Sequence, residues 1–385
     1  MGVHAAPLTR PAGGLRSTTA ASPASAASPA PTVAWSSLGA GSGPAAPPLV
    51  LSRRRQAIAP LAALTVIAVL AAVVLGSLAI GARPVSLPVV LDAVFHPDAA
   101  NGDHAVVLAR VTRTVAGLLV GAALGLAGTA MQGVTRNPLA DPGILGVNAG
   151  AALAVVAAIF FLGADSVSSY LWLAFGGAAL AAVVVYSVAS VGRVGATPVK
   201  LVLAGAAVSA GLGSLLSAML VNSRDSMELF RNWQVGALAG KSWDSILAVL
   251  PFIAVGAVLL LGTGRLLNNL SLGEDVARSL GQRPGTGRAV AALGIVLLCG
   301  SATALAGPIG FIGLVVPHLL RAVVGPDYRW LLPMSLVPAP AVLLLADVLG
   351  RVLLPPGEIP AGILAALMGA PVFVWLVRRG RKAAL

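Results

Sequence analysis

Long apolar runs alternate with short polar segments between Gln56 and Leu376. Most runs are close to the length that an α-helix needs to cross the hydrocarbon of a bilayer, roughly 20 residues. Glycine, proline and charged residues fill the segments between the runs, and glycine and proline are typical of helix ends. The pattern predicts an all-α polytopic membrane protein with about ten transmembrane helices per chain. The predicted spans lie at about 56–80, 106–132, 143–162, 170–191, 198–221, 244–264, 287–306, 309–324, 331–352 and 359–377.

The segment before the first span has a different composition. Residues 1–52 are rich in alanine, proline, serine and glycine and contain few large apolar side chains. Such a segment cannot bury enough surface to offset the entropy that it would lose on ordering. We therefore expect a disordered cytoplasmic tail over residues 1–52 and a ten-span domain over residues 53–385.

Basic residues indicate how the chain is oriented in the membrane. Lysine and arginine favour the cytoplasmic ends of membrane spans. An even number of spans puts both termini on one side, and both ends of the ten-span domain carry basic clusters. The pattern thus predicts that the N- and C-termini are cytoplasmic. The clusters are Arg53, Arg54 and Arg55 at one end and Arg378, Arg379, Arg381 and Lys382 at the other.

The composition supports membrane insertion and excludes several other functions. Hydrophobic residues make up 57% of the chain and charged residues only 10%, whereas soluble domains carry about 25% charge. The net charge of +12 comes from arginines scattered between apolar runs, so it does not indicate a nucleic-acid surface. No phosphate-binding loop of the G-x-x-x-x-G-K-[ST] type, zinc-protease motif or metal-ligand spacing occurs in the sequence. We expect no catalytic site, no metal site and no bound cofactor in this chain.

The stretch from Arg110 to Gly150 carries the most local information. Gly117, Gly121 and Gly125 recur every four residues and so line one face of a helix, which in lipid allows close approach of a second helix. Proline removes a backbone donor, so this helix is expected to break at Asn137-Pro138. Polar or glycine-rich backbone beside a span needs protein or water around it. The candidates for such span breaks, or for lining a pathway, are Gln132, Asn137, Pro138, Asn148, Gly307 and Pro308.

A short amphipathic helix is predicted in the loop after the sixth span, at about 272–280. Ser271 and Glu274 have the spacing of a capping box, in which the two side chains satisfy free amides at a helix start. Leu272, Val276 and Leu280 form one apolar face. The residues alone also allow a helix that lies on the lipid surface.

Three blocks of sequence resemble the FecCD-type permeases, which are membrane subunits of ABC importers for iron-siderophores, haem and cobalamin. The first block is R-x-x-R…G-x-x-x-Q-G-x-T-R-N-P-L-A-D-P-G-I-L-G-V-x-A-G-A, which begins at Arg110. The second is L-A-G-P-I-G-F-I-G-L-V-V-P-H-L-L-R, from Leu305 to Arg321. The third is A-D-V-L-G-R…E-I-P-A-G-I-L-A-A-L-M-G-A-P-V-F-V-W-L, from Ala346 to Leu376. The blocks keep the order that they have in the family.

The resemblance implies a function and a set of partners. The chain is expected to be the permease subunit, of the type II fold, of a binding-protein-dependent ABC importer in the bacterial plasma membrane. The implied partners are a second permease copy or a paralogue, two ATP-binding subunits that hold the ATP and Mg, and an extracytoplasmic substrate-binding protein. Ferric siderophore is the cargo expected first, and cobalamin or haem is the alternative.

The resemblance also implies roles for particular residues. In the family the loop helix docks into the ATP-hydrolysing subunit, while outer arginines accept carboxylates of the binding protein. Thr112 stands here where the family usually has proline, between the two arginines of the first block. The residues alone favour a different role for these arginines, which is to anchor the chain at the lipid interface. The implied coupling residues are Leu272, Gly273, Glu274, Asp275, Ala277, Arg278, Leu280 and Gly281, and the implied docking residues are Arg110, Arg113 and Arg351.

An ion-coupled secondary transporter is the rival hypothesis. Transporters of that class commonly need intramembrane acids, and Asp347 is the single candidate in the predicted spans. The structural alternative is that Asp347 pairs with Arg351, which follows one helical turn later.

Overall fold

The computed structural model describes residues 53–382, apart from 82, 99, 165–166, 193–196, 222–223 and 356. The tail predicted over 1–52 lies outside the described residues. The secondary-structure elements of the described part are all helices. Its helices are α1 (Arg53–Ala79), α2 (Leu87–Phe95), α3 (Gly102–Thr135), α4 (Val147–Leu162), α5 (Val167–Ser190), α6 (Pro198–Val221), α7 (Arg224–Gln234), α8 (Trp243–Gly262), α9 (Gly264–Ser271), α10 (Glu274–Ser279), α11 (Pro284–Ala306), α12 (Ile312–Val324), α13 (Tyr328–Ser335), α14 (Pro338–Leu353) and α15 (Ala361–Lys382), with a 3₁₀ turn at Pro142–Leu145.

Each of the ten predicted spans coincides with an apolar helical segment. Among the described residues, six segments are long and apolar enough to cross a membrane, and four shorter apolar helices lie at the remaining positions. The all-helical membrane fold is therefore confirmed. The count of ten crossings and the cytoplasmic position of both termini stay predictions.

The predicted span at 331–352 is not one continuous helix. The chain forms α13 and α14, with Leu336 and Val337 between them. Pro338 begins α14, and because proline has no backbone N–H it cannot continue the hydrogen bonding of the preceding helix. Two polar connecting segments also contain helices that the apolar pattern did not predict, namely α2 and α7.

Helix α3 forms the centre of the fold, and its apolar window is 78% buried. It packs against α11, α14 and α12. The predicted glycine stripe faces α14, since side chains at Gly121 and Gly125 would overlap Pro340 and Ala339. The same stripe extends to Gly128, where an added Cβ would overlap the backbone of Gly313 on α12. Close helix approach at small residues, expected from the sequence, thus occurs within the chain.

Candidate functional site

A buried ion-pair cluster joins α3 and α14. Asp347 is fully buried and accepts hydrogen bonds from two guanidinium groups. Arg113 reaches it from α3, with Nη2–Oδ1 at 2.8 Å and Nε–Oδ2 at 3.0 Å. Arg351 reaches it from the next turn of α14, with Nη2–Oδ2 at 2.6 Å. Two cations around one carboxylate offset the cost of burying the charges, so Asp347 has the structural pairing that the sequence left open.

Arg351 and Arg110 also cap the C-terminus of α1. The last carbonyls of a helix have no partner within it. Arg351 Nη1 donates to Ser77 O at 2.7 Å, and Arg110 donates to Leu78 O at 3.0 Å and to Ala79 O at 3.1 Å. Cations are also favoured at this end of a helix by its dipole. The two arginines are consequently only 2% and 8% exposed.

These contacts change the view of the predicted docking residues. Every side-chain nitrogen of Arg351 donates within its own chain, so it has no free edge for a partner's carboxylate. Arg113 is the most accessible of the three arginines, with its side chain 12% exposed, and its Nη1 contacts Glu358 Oε2 at 2.7 Å. The docking role of Arg110, Arg113 and Arg351 stays a prediction, in which Arg113 is the residue nearest to the surface.

An open cleft of about 420 Å³ lies above this cluster. Besides the three arginines, its lining includes Arg83 between α1 and α2 and Lys241 before α8, with Glu358 as the acidic residue. Arg83 pairs with Asp103 at 2.7 Å. Burial lowers the pKa of Lys241 to about 8. Sequence patterns did not identify Arg83, Lys241 or Glu358, because each lies in a connecting segment and only the fold brings them together.

The chain breaks after α3 as predicted. Arg136 has a left-handed conformation with φ of 51° and caps the helix. Asn137 Oδ1 then accepts a hydrogen bond from Leu139 N across Pro138, at 2.9 Å. Asparagine frequently closes such local turns through its side chain.

The other span-break candidates hold neighbouring elements together. Gln132 is buried, donates to Leu314 O at 3.2 Å and accepts from Arg321 Nη1 at 2.6 Å. Asn148 Oδ1 accepts from Thr303 Oγ1 at 3.1 Å, which ties α4 to α11. Gly307, with φ of 79°, precedes Pro308 and packs against the carbonyl of Trp233. All of these have partners within the chain, and their role in a pathway stays a prediction.

The helix predicted at 272–280 is shorter than expected, and the predicted capping box is wrong. Helix α10 begins at Glu274 behind Gly273, whose φ of 113° requires glycine. Ser271 instead completes α9, where its hydroxyl donates to Asn268 O at 2.6 Å. The C-terminus ends as expected at Gly281: Gly281 N donates to Arg278 O and Gln282 N to Ala277 O, the hydrogen bonds of a Schellman motif.

Helix α10 has one face fixed to the protein and one face exposed. Glu274 contacts Arg288 on α11 at 2.6 Å, Arg278 at 3.2 Å and Arg136 after α3 at 3.7 Å. The hydrogen bond from Arg288, together with the nearby guanidinium charges, lowers the pKa of Glu274 below its ordinary value. Ala277 is buried beneath the helix.

The opposite side of this segment carries unpartnered apolar side chains. Leu272, Val276 and Leu280 are 64%, 43% and 56% exposed. Asp275 and Arg278 lie beside them, paired with each other at 3.2 Å and with side chains 98% and 60% exposed. We call these five residues the α10 surface.

The described fold, with its apolar helices, is that of an integral membrane protein. The chain belongs to the FecCD transport family, whose model matches residues 68–379. It is 47% identical over 305 residues to the ferric enterobactin transport system permease protein FepD of Escherichia coli, covering 79% of this chain and 90% of that protein. It is 42% identical over 271 residues to the cobalamin import system permease protein BtuC of Halobacterium salinarum, covering 70% and 72%.

The fold also matches a solved structure. An ABC transporter assigned to the metal-chelate type, in an inward-facing conformation, aligns with a TM-score of 0.72 and 29% identity. The match covers 83% of this chain and 99% of that chain. The family resemblance seen in the sequence blocks is therefore confirmed by both sequence and fold.

Proposed function

We propose that this chain is the permease subunit of a binding-protein-dependent ABC importer, and that it moves a ferric siderophore into the cytoplasm. Family membership and the relative that transports ferric enterobactin support the cargo. The α10 surface carries the proposal, because it is an exposed apolar patch on a short helix whose other face is fixed by ion pairs. A helix held in this way can transmit a displacement caused by a docked partner to the helices that it contacts.

In this proposal, two ATP-binding subunits contact the α10 surface and hydrolyse ATP with Mg, while this chain binds neither. Glu274 does not face the partner. It holds α10 against Arg288 and Arg136, so a displacement of α10 reaches both α11 and the end of α3. The coupling segment 272–281 then divides into a docking side and a transmitting side.

The arrangement in the membrane follows from the same proposal. The ten apolar helical segments would all cross the bacterial plasma membrane, as in a type II importer permease, with both termini in the cytoplasm. This places α10 inside and the arginine cluster outside, where the substrate-binding protein would dock near Arg113. A second copy or a paralogue would complete the pathway.

Helix α6 is the surface that best fits contact with the second permease subunit. Only 17% of its apolar window is buried within the chain, the smallest fraction among the six long segments. Gly211 and Gly213 face open space, and small residues of this kind allow helices to approach closely in lipid.

The secondary-transporter hypothesis has little support in the geometry. Its single candidate for ion coupling, Asp347, is fully buried and its oxygens accept from Arg113 and Arg351. Both oxygens are already occupied, so the carboxylate has no free position for a coupling ion.

Uptake measurements test the proposal directly. Iron-starved cells with and without the gene would be given labelled ferric siderophore, labelled cobalamin and labelled haem in parallel. We expect loss of iron uptake alone, and loss of that uptake on ATP depletion. Loss of cobalamin or haem uptake alone would reassign the cargo. Uptake that survives ATP depletion but collapses with an uncoupler would favour the secondary transporter instead.

A further inference from the structure

The cleft above the arginine cluster has more cations than acids. Five basic side chains line it, and among the described residues three carboxylates contact them. Arg113 and Arg351 share Asp347, Arg113 also holds Glu358, and Arg83 pairs with Asp103. Arg110 donates to backbone carbonyls, so its charge is not matched by an acid. The fifth cation is Lys241.

Lys241 is the cation of the cleft that has no hydrogen-bond or ion-pair partner among the described residues. Within the part of the chain that the structure describes, its ammonium has neither a hydrogen bond nor an ion pair, although burial lowers its pKa to about 8. A partly buried cation that lacks a partner costs stability. Groups held in this way are frequent at binding sites, where the missing partner is the ligand.

The backbone around Lys241 is fixed. Ala237 N donates to Ala306 O at 2.8 Å, and Gly362 N donates to Gly236 O at 2.9 Å. Leu238 is fully buried in the core. Gly240, with φ of 69°, then turns the chain toward Ser242, which caps α8. The position of Lys241 at the cleft is consequently set by the fold.

We propose that this cleft binds a small anionic metal chelate and that Lys241 is the cation that contacts the oxygens of the chelate. The inference rests on the proposed function and specifies the charge class of its cargo. The volume of the cleft, about 420 Å³, lies in the range of small-molecule sites. Lys241 supplies three N–H donors, which suit the charged oxygens of a catecholate or carboxylate chelate.

The same cations could also attract carboxylates of a docking protein, but a concave site favours the small ligand. Arg113 and Arg351 already hold the acids of their own chain. These ion pairs hold Arg113 and Arg351 at the floor of the cleft, whereas the ammonium of Lys241 remains available to a ligand. A chelate with several charged oxygens would contact Lys241 while lying over Arg113.

Binding to the purified full chain in detergent tests the inference without transport. Trp243 is 48% exposed and lies two positions after Lys241, so a coloured ferric complex in the cleft should quench its fluorescence. The two probes are a trianionic ferric tris-catecholate and an uncharged ferric tris-hydroxamate. The variants are Lys241→Gln and Lys241→Arg, with Arg265→Gln as a control that removes an exposed charge on α9.

We expect Lys241→Gln to weaken binding of the tris-catecholate about tenfold, since a hydrogen bond to a charged group is lost. Lys241→Arg and Arg265→Gln should bind it nearly as well as the unchanged chain, and the tris-hydroxamate should not distinguish Lys241→Gln from the unchanged chain. Equal affinity of Lys241→Gln and the unchanged chain for the tris-catecholate would overturn the inference. So would an unchanged chain that binds no chelate, or a Lys241→Gln variant that loses only affinity for the binding protein.

The cell experiment keeps this result separate from the proposed function. If deleting the gene leaves iron uptake intact, the importer assignment fails whatever Lys241 does in the titration. If deletion abolishes uptake but Lys241→Gln binds the tris-catecholate normally, the importer stands and the role of Lys241 is wrong.

Discussion

Arg113 and Asp347 lie 234 positions apart in the sequence, yet their side chains meet side by side with three hydrogen bonds between them. The pair joins the central helix α3 to α14, and Arg351 completes it from the next turn of α14. A carboxylate held by two guanidinium groups in a membrane protein fixes the relative position of both helices. It also explains why an acid is retained in an otherwise apolar stretch.

Asp347→Asn should destabilise the protein strongly. The change removes the negative charge that two buried arginines share, and breaking one side of a buried ion pair costs about 3–5 kcal/mol. The loss of stability would be measured by thermal unfolding of the purified protein in detergent. Glu358→Gln is the matched control, because Glu358 pairs with the same Arg113 from a side chain 38% exposed. Its effect should be about 1 kcal/mol or less. Equal stability of Asp347→Asn and the unchanged protein would contradict the structural role.

The double substitution Leu272→Ser and Leu280→Ser should weaken attachment of the ATP-binding subunit. Both leucines are more than half exposed, and burying a leucine in an interface contributes about 1.5–3 kcal/mol. Loss of two should reduce affinity at least about tenfold, while membrane insertion is unchanged. Co-purification from membranes measures this. Ser279→Ala, a neighbouring exposed position, should co-purify normally. Undiminished co-purification of the double variant would rule out the α10 surface as the docking site.

Glu274→Gln should leave the ATP-binding subunit attached but lower transport per ATP hydrolysed. Its carboxylate holds α10 to Arg288 and Arg136, so the change loosens the transmitting side alone. Uptake and ATP hydrolysis would be measured on the same reconstituted complex, with Asp275→Asn as the control on the exposed side. The idea fails if the ratio of uptake to hydrolysis stays the same in Glu274→Gln.

The ion pairs by which Glu274 holds α10 to Arg288 and Arg136 are lost at low pH. Because the pKa of Glu274 lies below its ordinary value of 4.5, the stabilisation is fully present above that value and is lost as the pH falls through the lowered pKa. Glu274 therefore stays ionised at neutral and mildly acidic pH. We expect no change in the ratio of uptake to ATP hydrolysis over that range that depends on this carboxylate.

Gly128→Ala should destabilise the packing of α3 against α12. An added Cβ would overlap the carbonyl and Cα of Gly313, which are backbone atoms and cannot rotate away. Overpacking of this kind costs about 1–3 kcal/mol. Gly176→Ala is the matched control, since nothing lies near its added Cβ; alanine in a helix interior gains about 0.5–1 kcal/mol over glycine. Thermal unfolding should therefore shift in opposite directions for the two variants.

Lys241→Met should raise the thermal stability at neutral pH. The pKa of Lys241 is lowered in the folded protein to about 8 from an ordinary value of 10.5, so burial penalises its charged form. This penalty is fully present below a pH of about 8 and disappears as the pH rises toward 10.5. The gain in unfolding temperature should accordingly be largest near neutral pH and shrink in alkaline buffer. A gain that does not depend on pH would mean that packing, and not charge, is responsible.

Sequence patterns predicted the apolar helices well because the membrane forces each of them to be long, apolar and internally hydrogen-bonded. The glycine stripe of α3 and the break at Asn137-Pro138 were predictable for another reason, which is that each depends on residues close together in the sequence. The division of the predicted ninth span at Val337 was missed, although Pro338 and Pro340 are visible in the sequence.

The site was less predictable because its contacts are distant in sequence. Arg351 looked like a surface residue, but it caps the end of α1 through Ser77, 274 positions away. Glu274 looked like half of a capping box, yet its partner is Arg288 and the local cap is the backbone of Gly273. No local pattern relates Lys241 to Arg113, which share a cleft only after the helices have packed.

Helix α3 runs without interruption from the arginine cluster to the neighbourhood of α10. Arg113 lies in the first half of the helix and Arg136 caps its C-terminus, a separation of roughly 35 Å at 1.5 Å per residue. Within α3 no proline occurs, whereas α8, α12, α13 and α15 each contain one. In the proposed importer, such a helix would carry a tilt imposed where Glu274 meets Arg136 along its length to Arg113. Opening of the cleft and movement of α10 would then be two ends of a single motion.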